Sequence, residues 1–173
     1  VPAPSDAERF RGLIEVHLDA AYNLARWLVR NPPDAEDLVQ DAALRAWKSF
    51  GGWRGENPRA WFLAIVRNTC YTHLSSRRLR DTAPFDEALH TPETESPQQE
   101  QMLLRQADAG MLRDALAELP LEFREALVLR ELEGMAYKEI AEVAGVPMGT
   151  VMSRLSRGRQ MLQQKLLKPG APR

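Results

Sequence analysis

The sequence predicts an all-α protein: two small helical domains joined by a flexible acidic linker. Three observations carry that expectation. Apolar residues recur at helical spacing on both sides of a gap. The gap itself holds Asp81, Asp86, Glu87, Glu93, Glu95 and Glu100 with Pro84, Pro92 and Pro97, and no lysine or arginine between 81 and 100. Residues 136–159 then read as a short amphipathic helix, a glycine-containing turn and a second helix bearing hydroxyls and arginines, the pattern of a helix-turn-helix. The boundaries that follow are 1–80, 81–104 and 105–173. Acidic, proline-rich composition with little apolar content reads as a tether; the alternative is a structured loop packed on one domain.

The first helix is expected from Ala7 to Arg30, with Phe10, Leu13, Ile14, His17, Leu18, Ala21, Leu24, Ala25 and Leu28 on its inner face. Asn31-Pro32-Pro33 ends it. The second takes Asp34 as N-cap, with Glu36 and Asp37 in a first turn where the helix dipole favours acids. It buries Ala35, Leu38, Val39, Ala42, Ala46 and Phe50 and leaves Glu36, Asp37, Gln40, Asp41, Arg45 and Lys48 largely outside. After Gly51-Gly52-Trp53-Arg54-Gly55 comes a third helix, capped by Asn57 with Pro58 in its first turn. Its inward positions are Trp61, Ala64, Ile65 and Thr69, and it ends in Arg77, Arg78 and Arg80.

An aromatic amid glycines, followed by a helix with Arg59, Arg67, Asn68 and Tyr71, suits single-stranded nucleic acid: aromatics stack unpaired bases while cations track the backbone. The competing reading makes Trp53 a plug at the helix junction.

In the C-terminal stretch Ile140, Ala141 and Val143 form one apolar stripe, and Gly145 stands where the turn needs positive φ. Pro147 fixes φ at the entry to the next helix, where its missing N–H costs nothing. Val151, Leu155, Gly158 and Leu162 step by four, three and four and face inward, whereas Thr150, Ser153, Arg154 and Arg157 form a separate face. A guanidinium there can bind guanine bidentately or a phosphate. The bland alternative is a solvated basic helix. Charge segregation opposes it: from Pro147 to Arg173 the chain carries Arg154, Arg157, Arg159, Lys165, Lys168 and Arg173 and no acid, although the whole chain has 23 basic and 24 acidic residues.

Composition excludes other classes. At 173 residues, 44% hydrophobic and 27% charged, the chain is globular, with room for one or two domains. No apolar run approaches the roughly 20 residues of a membrane span, and Val1-Pro-Ala-Pro-Ser-Asp6 lacks the order of a signal peptide. A single cysteine, Cys70, forms no internal disulfide and fits a reducing cytoplasm. His17, His73 and His90 make no metal-ligand spacing with it, and neither a phosphate loop nor a nucleophile elbow is present. The expectation is therefore no catalysis, no metal, no cofactor and no membrane insertion.

Asp34-Ala-Glu-Asp-Leu-Val-Gln-Asp41, Trp53-Arg-Gly55, Trp61 with Ile65-Val-Arg-Asn-Thr69, Leu119-Pro120 with Arg124 and Leu129-Arg-Glu-Leu-Glu-Gly134, and the 137–159 block follow in order. As an ordered set they resemble the extracytoplasmic-function (group IV) sigma factors of bacterial RNA polymerase, over nearly the whole chain. The resemblance implies an alternative sigma factor that binds core polymerase and directs promoter-specific initiation. The N-terminal domain is then similar to sigma region 2, with Glu36, Asp37, Leu38, Gln40 and Asp41 meeting the clamp helices of the β′ subunit. Arg45, Trp53, Arg54, Asn57, Arg67, Asn68 and Tyr71 would take the −10 strand, with one base held unstacked. The C-terminal domain is similar to region 4, where Thr150, Ser153, Arg154, Arg157 and Arg159 would read the −35 duplex and the domain would meet the β flap. An anti-sigma factor, often membrane-anchored in this family, is an implied partner. Met152 stands where the family often has a base, and Gly158 where alanine is common. A stand-alone helix-turn-helix regulator and a nucleic-acid enzyme are the alternatives; no apolar seam, ligand motif or catalytic constellation supports either.

Overall fold

The computed structural model of the chain describes residues 4–80 and 109–167, and every regular element among them is helical. The acidic linker expected at 81–104, residues 105–108, and Lys168 and Arg173 of the basic run lie outside the described residues.

The N-terminal module contains α1 (Asp6–Glu15), α2 (Leu18–Val29), α3 (Pro32–Phe50) and α4 (Pro58–Arg80). Ser5 and Glu8 cap α1 reciprocally, the Glu8 carboxylate accepting from the Ser5 N–H at 2.7 Å. The single helix expected over 7–30 is broken at Val16–His17. The break lets α1 turn across α3 and α4, and it brings Phe10 edge-on to Trp47 and Phe50 at 5.1 and 5.3 Å. Leu18, expected inside, is exposed. A straight helix would have kept the apolar register but carried Phe10 away from that aromatic cluster.

Asn31, not Asp34, caps α3: its side-chain oxygen accepts from the Asp34 N–H at 3.1 Å, and both prolines occupy the first turn, where they cost no hydrogen bond. The Asp34 carboxylate instead lies 3.6 Å from Arg77 and ties the start of α3 to the end of α4. Asn57 caps α4 as expected, accepting from Ala60 N–H at 3.0 Å. Thr69 is buried as expected, but the rest of the inward face of α4 is shifted by one position from the expected one. Phe62, Leu63, Val66, Thr69 and Cys70 are buried, while Trp61, Ala64 and Ile65 lie at the margin. Leu24, Leu28, Phe62 and Leu63 are at most 1% exposed, and each fully buried side chain of this size stabilises the fold by about 1.5–3 kcal/mol.

The C-terminal module contains α5 (Ala109–Ala117), α6 (Leu121–Leu127) continued by one π-helical turn (Val128–Leu132), α7 (Tyr137–Ala144) and α8 (Met148–Leu167). Gly145 closes α7 at φ +67°, the left-handed conformation the turn demands. Val151, Leu155, Gly158 and Leu162 are all buried, as their spacing predicts. A Cβ on Gly158 would meet Leu127 at 3.3 Å and Phe123 at 3.4 Å, so the glycine lets α8 lie close against α6.

The two modules are packed on each other. α4 runs against α7, and α2 against α6 and the π turn. The guanidinium of Arg124 is buried between them, donating to Ala117 O at 2.8 Å, to Leu119 O at 3.3 Å and, across the seam, to Leu28 O at 3.2 Å.

Candidate nucleic-acid and polymerase interfaces

Three surfaces gather the residues that the sequence singled out. On α8, Ser153 and Arg157 are exposed and Thr150 and Arg154 half-buried, all opposite the apolar seam formed by Val151 and Leu155. Helical spacing alone places them together, because residues three and four apart share a face. Met152, 53% exposed, lies beside them. Arg159 departs from the group: its guanidinium donates to Glu131 at 2.9 Å and is only 11% exposed. Burial works against its charge, but Glu131 and Tyr137 outweigh that and raise its pKa. Arg159 thus braces the π turn against α8 rather than standing free beside Ser153 and Arg157.

On α3, Glu36, Asp37 and Gln40 are exposed and Asp41 half-exposed, whereas Leu38 points into the core. Arg45, expected with the strand-binding residues, pairs with Asp41 at 3.3 Å and belongs to this face. Sequence reasoning missed Leu44 and Trp47, 62% and 44% exposed. Leu44 lies four residues from Gln40 and three from Asp41, and Trp47 three from Leu44, so both continue the same stripe, which was the available signal. The result is an acidic patch with an apolar end, the combination that docks on a basic helical surface and fixes its orientation.

The third surface is α4 with the loop before it. Trp53 stacks on Trp61 with ring centroids 5.0 Å apart, and a Cβ on Gly55 would come within 2.6 Å of its indole nitrogen. Trp53 therefore both plugs the junction and stays half-exposed. Arg54 and Asn68 are exposed, and Asn68 accepts a hydrogen bond from Arg67 at 3.3 Å. Asn57, Arg67 and Tyr71, in contrast, are engaged by the C-terminal module. Arg67 Nε lies 2.7 Å from Glu125 Oε1, the Tyr71 hydroxyl donates to Glu125 Oε2 at 2.5 Å, and the Asn57 amide donates to Glu139 at 3.1 Å. Glu139 also lies 3.6 Å from Arg59 and accepts from the Ala136 N–H at 3.2 Å. At the edge of the seam Asn23 donates to Glu133 at 2.7 Å.

These pairings set the titration of the groups involved. For Arg67, burial disfavours the charge but the hydrogen bond and attraction of Glu125 prevail, so its pKa rises. Burial, reinforced by Glu125, pushes the Tyr71 phenol up. The same two influences push the Cys70 thiol to about 12, which leaves it protonated and unreactive at neutral pH. Glu139 is lowered: burial opposes its charge, but Asn57, the Ala136 N–H and Arg59 together hold it ionised. Among the described residues no three His, Cys, Asp or Glu side chains are grouped to hold a metal ion, and no described helix is long and apolar enough to cross a membrane.

Two helical modules, one with an open basic helix-turn-helix and one with an acidic stripe and a helix carrying arginine, asparagine and aromatic side chains, define the class of promoter-recognition proteins. Comparison with known proteins agrees: Sigma-70 region 2 matches residues 13–80 and Sigma-70 region 4 matches residues 109–162. The ECF RNA polymerase sigma factor SigE of Mycolicibacterium smegmatis is 37% identical over 157 residues, covering 90% of this chain and 61% of its own length. The ECF RNA polymerase sigma-E factor of Haemophilus influenzae is 33% identical over 153 residues, covering 83% and 79%. The sigma factor RpoE from Bartonella quintana, solved in complex with the anti-sigma factor NepR, superposes with a TM-score of 0.71 at 29% identity, covering 94% of this chain and 99% of that one. The chain belongs to the extracytoplasmic-function sigma factors of bacterial RNA polymerase.

Proposed function

We propose that the chain is an alternative sigma factor that binds core RNA polymerase and directs initiation at promoters with −10 and −35 elements. Residues 1–80 serve as the polymerase-binding and −10 module, 105–173 as the −35 module, and 81–104 as the tether. Glu36, Asp37, Gln40 and Asp41, with Leu44 and Trp47 added and Leu38 behind them as support, dock on the β′ clamp helices. The β flap takes the C-terminal module. Trp53, Arg54, Asn57, Arg67, Asn68 and Tyr71 hold the −10 strand. Thr150, Ser153, Arg154 and Arg157 contact the −35 duplex.

The observation that carries this reading is the joint presence of an exposed acidic-apolar face on α3 and an exposed cationic face on α8 in one chain. A free-standing repressor needs the second but not the first. The protein supplies specificity and no reaction of its own, and it works in the cytoplasm where the polymerase is. Because one structural relative is a sigma factor solved with an anti-sigma factor, a protein of that kind, soluble or membrane-anchored, is the proposed regulator. Two modest binding modules gain affinity when the polymerase holds both. Adding the chain to purified core polymerase should yield transcripts from a subset of a genomic promoter pool. Absence of both transcripts and core binding would end the proposal.

A further inference from the structure

Away from α3, α4 and α8, a cleft of 510 Å³ lies between α2 and α5, a size within the range of small-ligand sites, about 300–1,000 Å³. Arg26, Arg30 and Arg113 line it, with Asn23 and Trp27 along α2 and Asp114 as the carboxylate among its lining residues. All three arginines are exposed, and none forms an ion pair among the described residues. The helix dipole accounts for two of them, since Arg26 and Arg30 stand at the C-terminal end of α2. It does not account for Arg113, which lies in the middle of α5. Bringing a third guanidinium toward the other two works against their repulsion unless an anion sits among them.

Two further observations mark the same place. Arg30 is the one non-glycine residue at positive φ among the described residues, at 58°. Glycine usually fills that position after a helix, so the chain keeps a strained arginine where an unstrained residue was open to it. Close to Arg30, the Arg124 guanidinium is buried with its Nε unpartnered among the described residues, and burial together with the charge of Arg30 lowers its pKa. The cleft is thus strongly cationic. Arginine forks match phosphate oxygens bidentately. Trp27 adds a half-buried aromatic wall. The Asn23 amide nitrogen donates to Glu133 at 2.7 Å, which leaves its carbonyl oxygen to accept from a hydroxyl or amino group. From Asn23 to Arg30 the backbone rises about 10 Å, roughly the length of a nucleoside carrying two phosphates.

We propose that this cleft binds a nucleoside diphosphate, with Arg26, Arg30 and Arg113 on the phosphates and Asn23 and Trp27 against the sugar or base. The site draws on both modules, because Arg113 comes from one and the α2 residues from the other.

The test is calorimetric titration of the full chain, at constant ionic strength, with pyrophosphate, ADP and GDP. Each should bind at one saturable site, and at least one nucleotide should bind about tenfold tighter than pyrophosphate. Arg26→Gln and Arg113→Gln should each weaken binding about tenfold or more. Arg30→Gly should weaken it similarly while the thermal midpoint holds or rises, because glycine relieves the positive φ. An arginine kept for structure would give the opposite, a lower midpoint with binding intact. Absence of saturable binding by all three compounds up to about 10 mM overturns the site, and so does binding that the three variants leave unchanged. Equal affinity for pyrophosphate and both nucleotides overturns the nucleoside assignment. A single-stranded 20-mer that binds through these arginines while pyrophosphate does not would assign the cleft to nucleic acid and refute the proposal. Arg30→Gly is expected to fold whatever the other variants do, so it keeps the test decisive.

Discussion

The basic face of α8 and the arginine-bearing face of α4 carry the same chemistry and meet opposite fates. Both present arginines beside small polar groups, Arg154 and Arg157 with Thr150 and Ser153 on α8, Arg67 with Asn68 and Tyr71 on α4. On α8 no carboxylate bonds those groups among the described residues; on α4 a carboxylate from the other module holds the guanidinium and phenol at 2.7 and 2.5 Å. A basic face on a helix is thus a statement of capacity only. Whether it is available depends on what the rest of the chain packs against it.

The contrast can be broken most forcefully at Arg67. Arg67→Ala leaves Glu125 buried without its cation, a change that costs about 3–5 kcal/mol when the carboxylate cannot escape. Here it can escape by separation of the modules, so the variant should open rather than unfold. Small-angle scattering should show an expanded particle while circular dichroism keeps its helical signal; a compact particle with unchanged stability would contradict the assignment.

A smaller effect is expected on the open face. Arg154→Ala with Arg157→Ala should weaken duplex binding and reduce the slope of log affinity against log salt by about 0.9 for each phosphate left without its arginine, roughly 2 in all. Arg67→Ala should leave that slope unchanged in the free chain. Filter binding across a salt series checks both.

The scaffold beneath the open face gives a third measure. Gly145→Ala forces a side chain into φ +67°, at a cost of about 1–2 kcal/mol. Denaturant unfolding should register that loss, and duplex binding should weaken as the angle between α7 and α8 relaxes.

The smallest effect belongs to acid. Glu139 is held below its ordinary value of 4.5, so its contribution to closure is complete above that value and is lost as pH falls through the lowered one. The groups facing it are Asn57 and Arg59 of α4 and the Ala136 N–H, with His17 close enough to Arg59 that burial and that charge lower its pKa. Glu139 is 27% exposed, which keeps the contribution under about 1 kcal/mol. Energy transfer between dyes on the two modules should therefore decline modestly on acidification below pH 4.5, and Glu139→Gln should flatten that decline.

Several elements were legible from local pattern because local physics decides them. The inward face of α8 follows from steps of four, three and four, and Gly145 from the steric cost of positive φ. Asn57 was legible as a cap for the same kind of reason. Misread elements involve competition between local solutions. Asn31 and Asp34 are both capable caps; with Asn31 as the cap the prolines at 32 and 33 fall in the first turn, where no N–H is needed and their fixed φ suits the helix, so the earlier start costs no hydrogen bond. The face of α4 was displaced by one residue because Trp61 and Ile65 are as apolar as Phe62 and Val66, and hydropathy alone gives no phase between them. The break at Val16–His17 has no local breaker; aromatic packing of Phe10 on Trp47 and Phe50 imposes it.

The sequence by itself determined the helical class, the cationic face of α8 and the acidic face of α3, since each depends on residues within a few turns of one another and on the 3.6-residue period. Only the tertiary structure decided that Glu125, 58 residues after Arg67, would meet it. Within its own helix Glu125 is one more acid beside Arg124, and nothing in that spacing names its partner. Pairing across such a distance is fixed by which helices pack, and so by the burial of Leu24, Leu28, Phe62, Leu127 and Leu129 together, a property of the whole chain that no single segment carries.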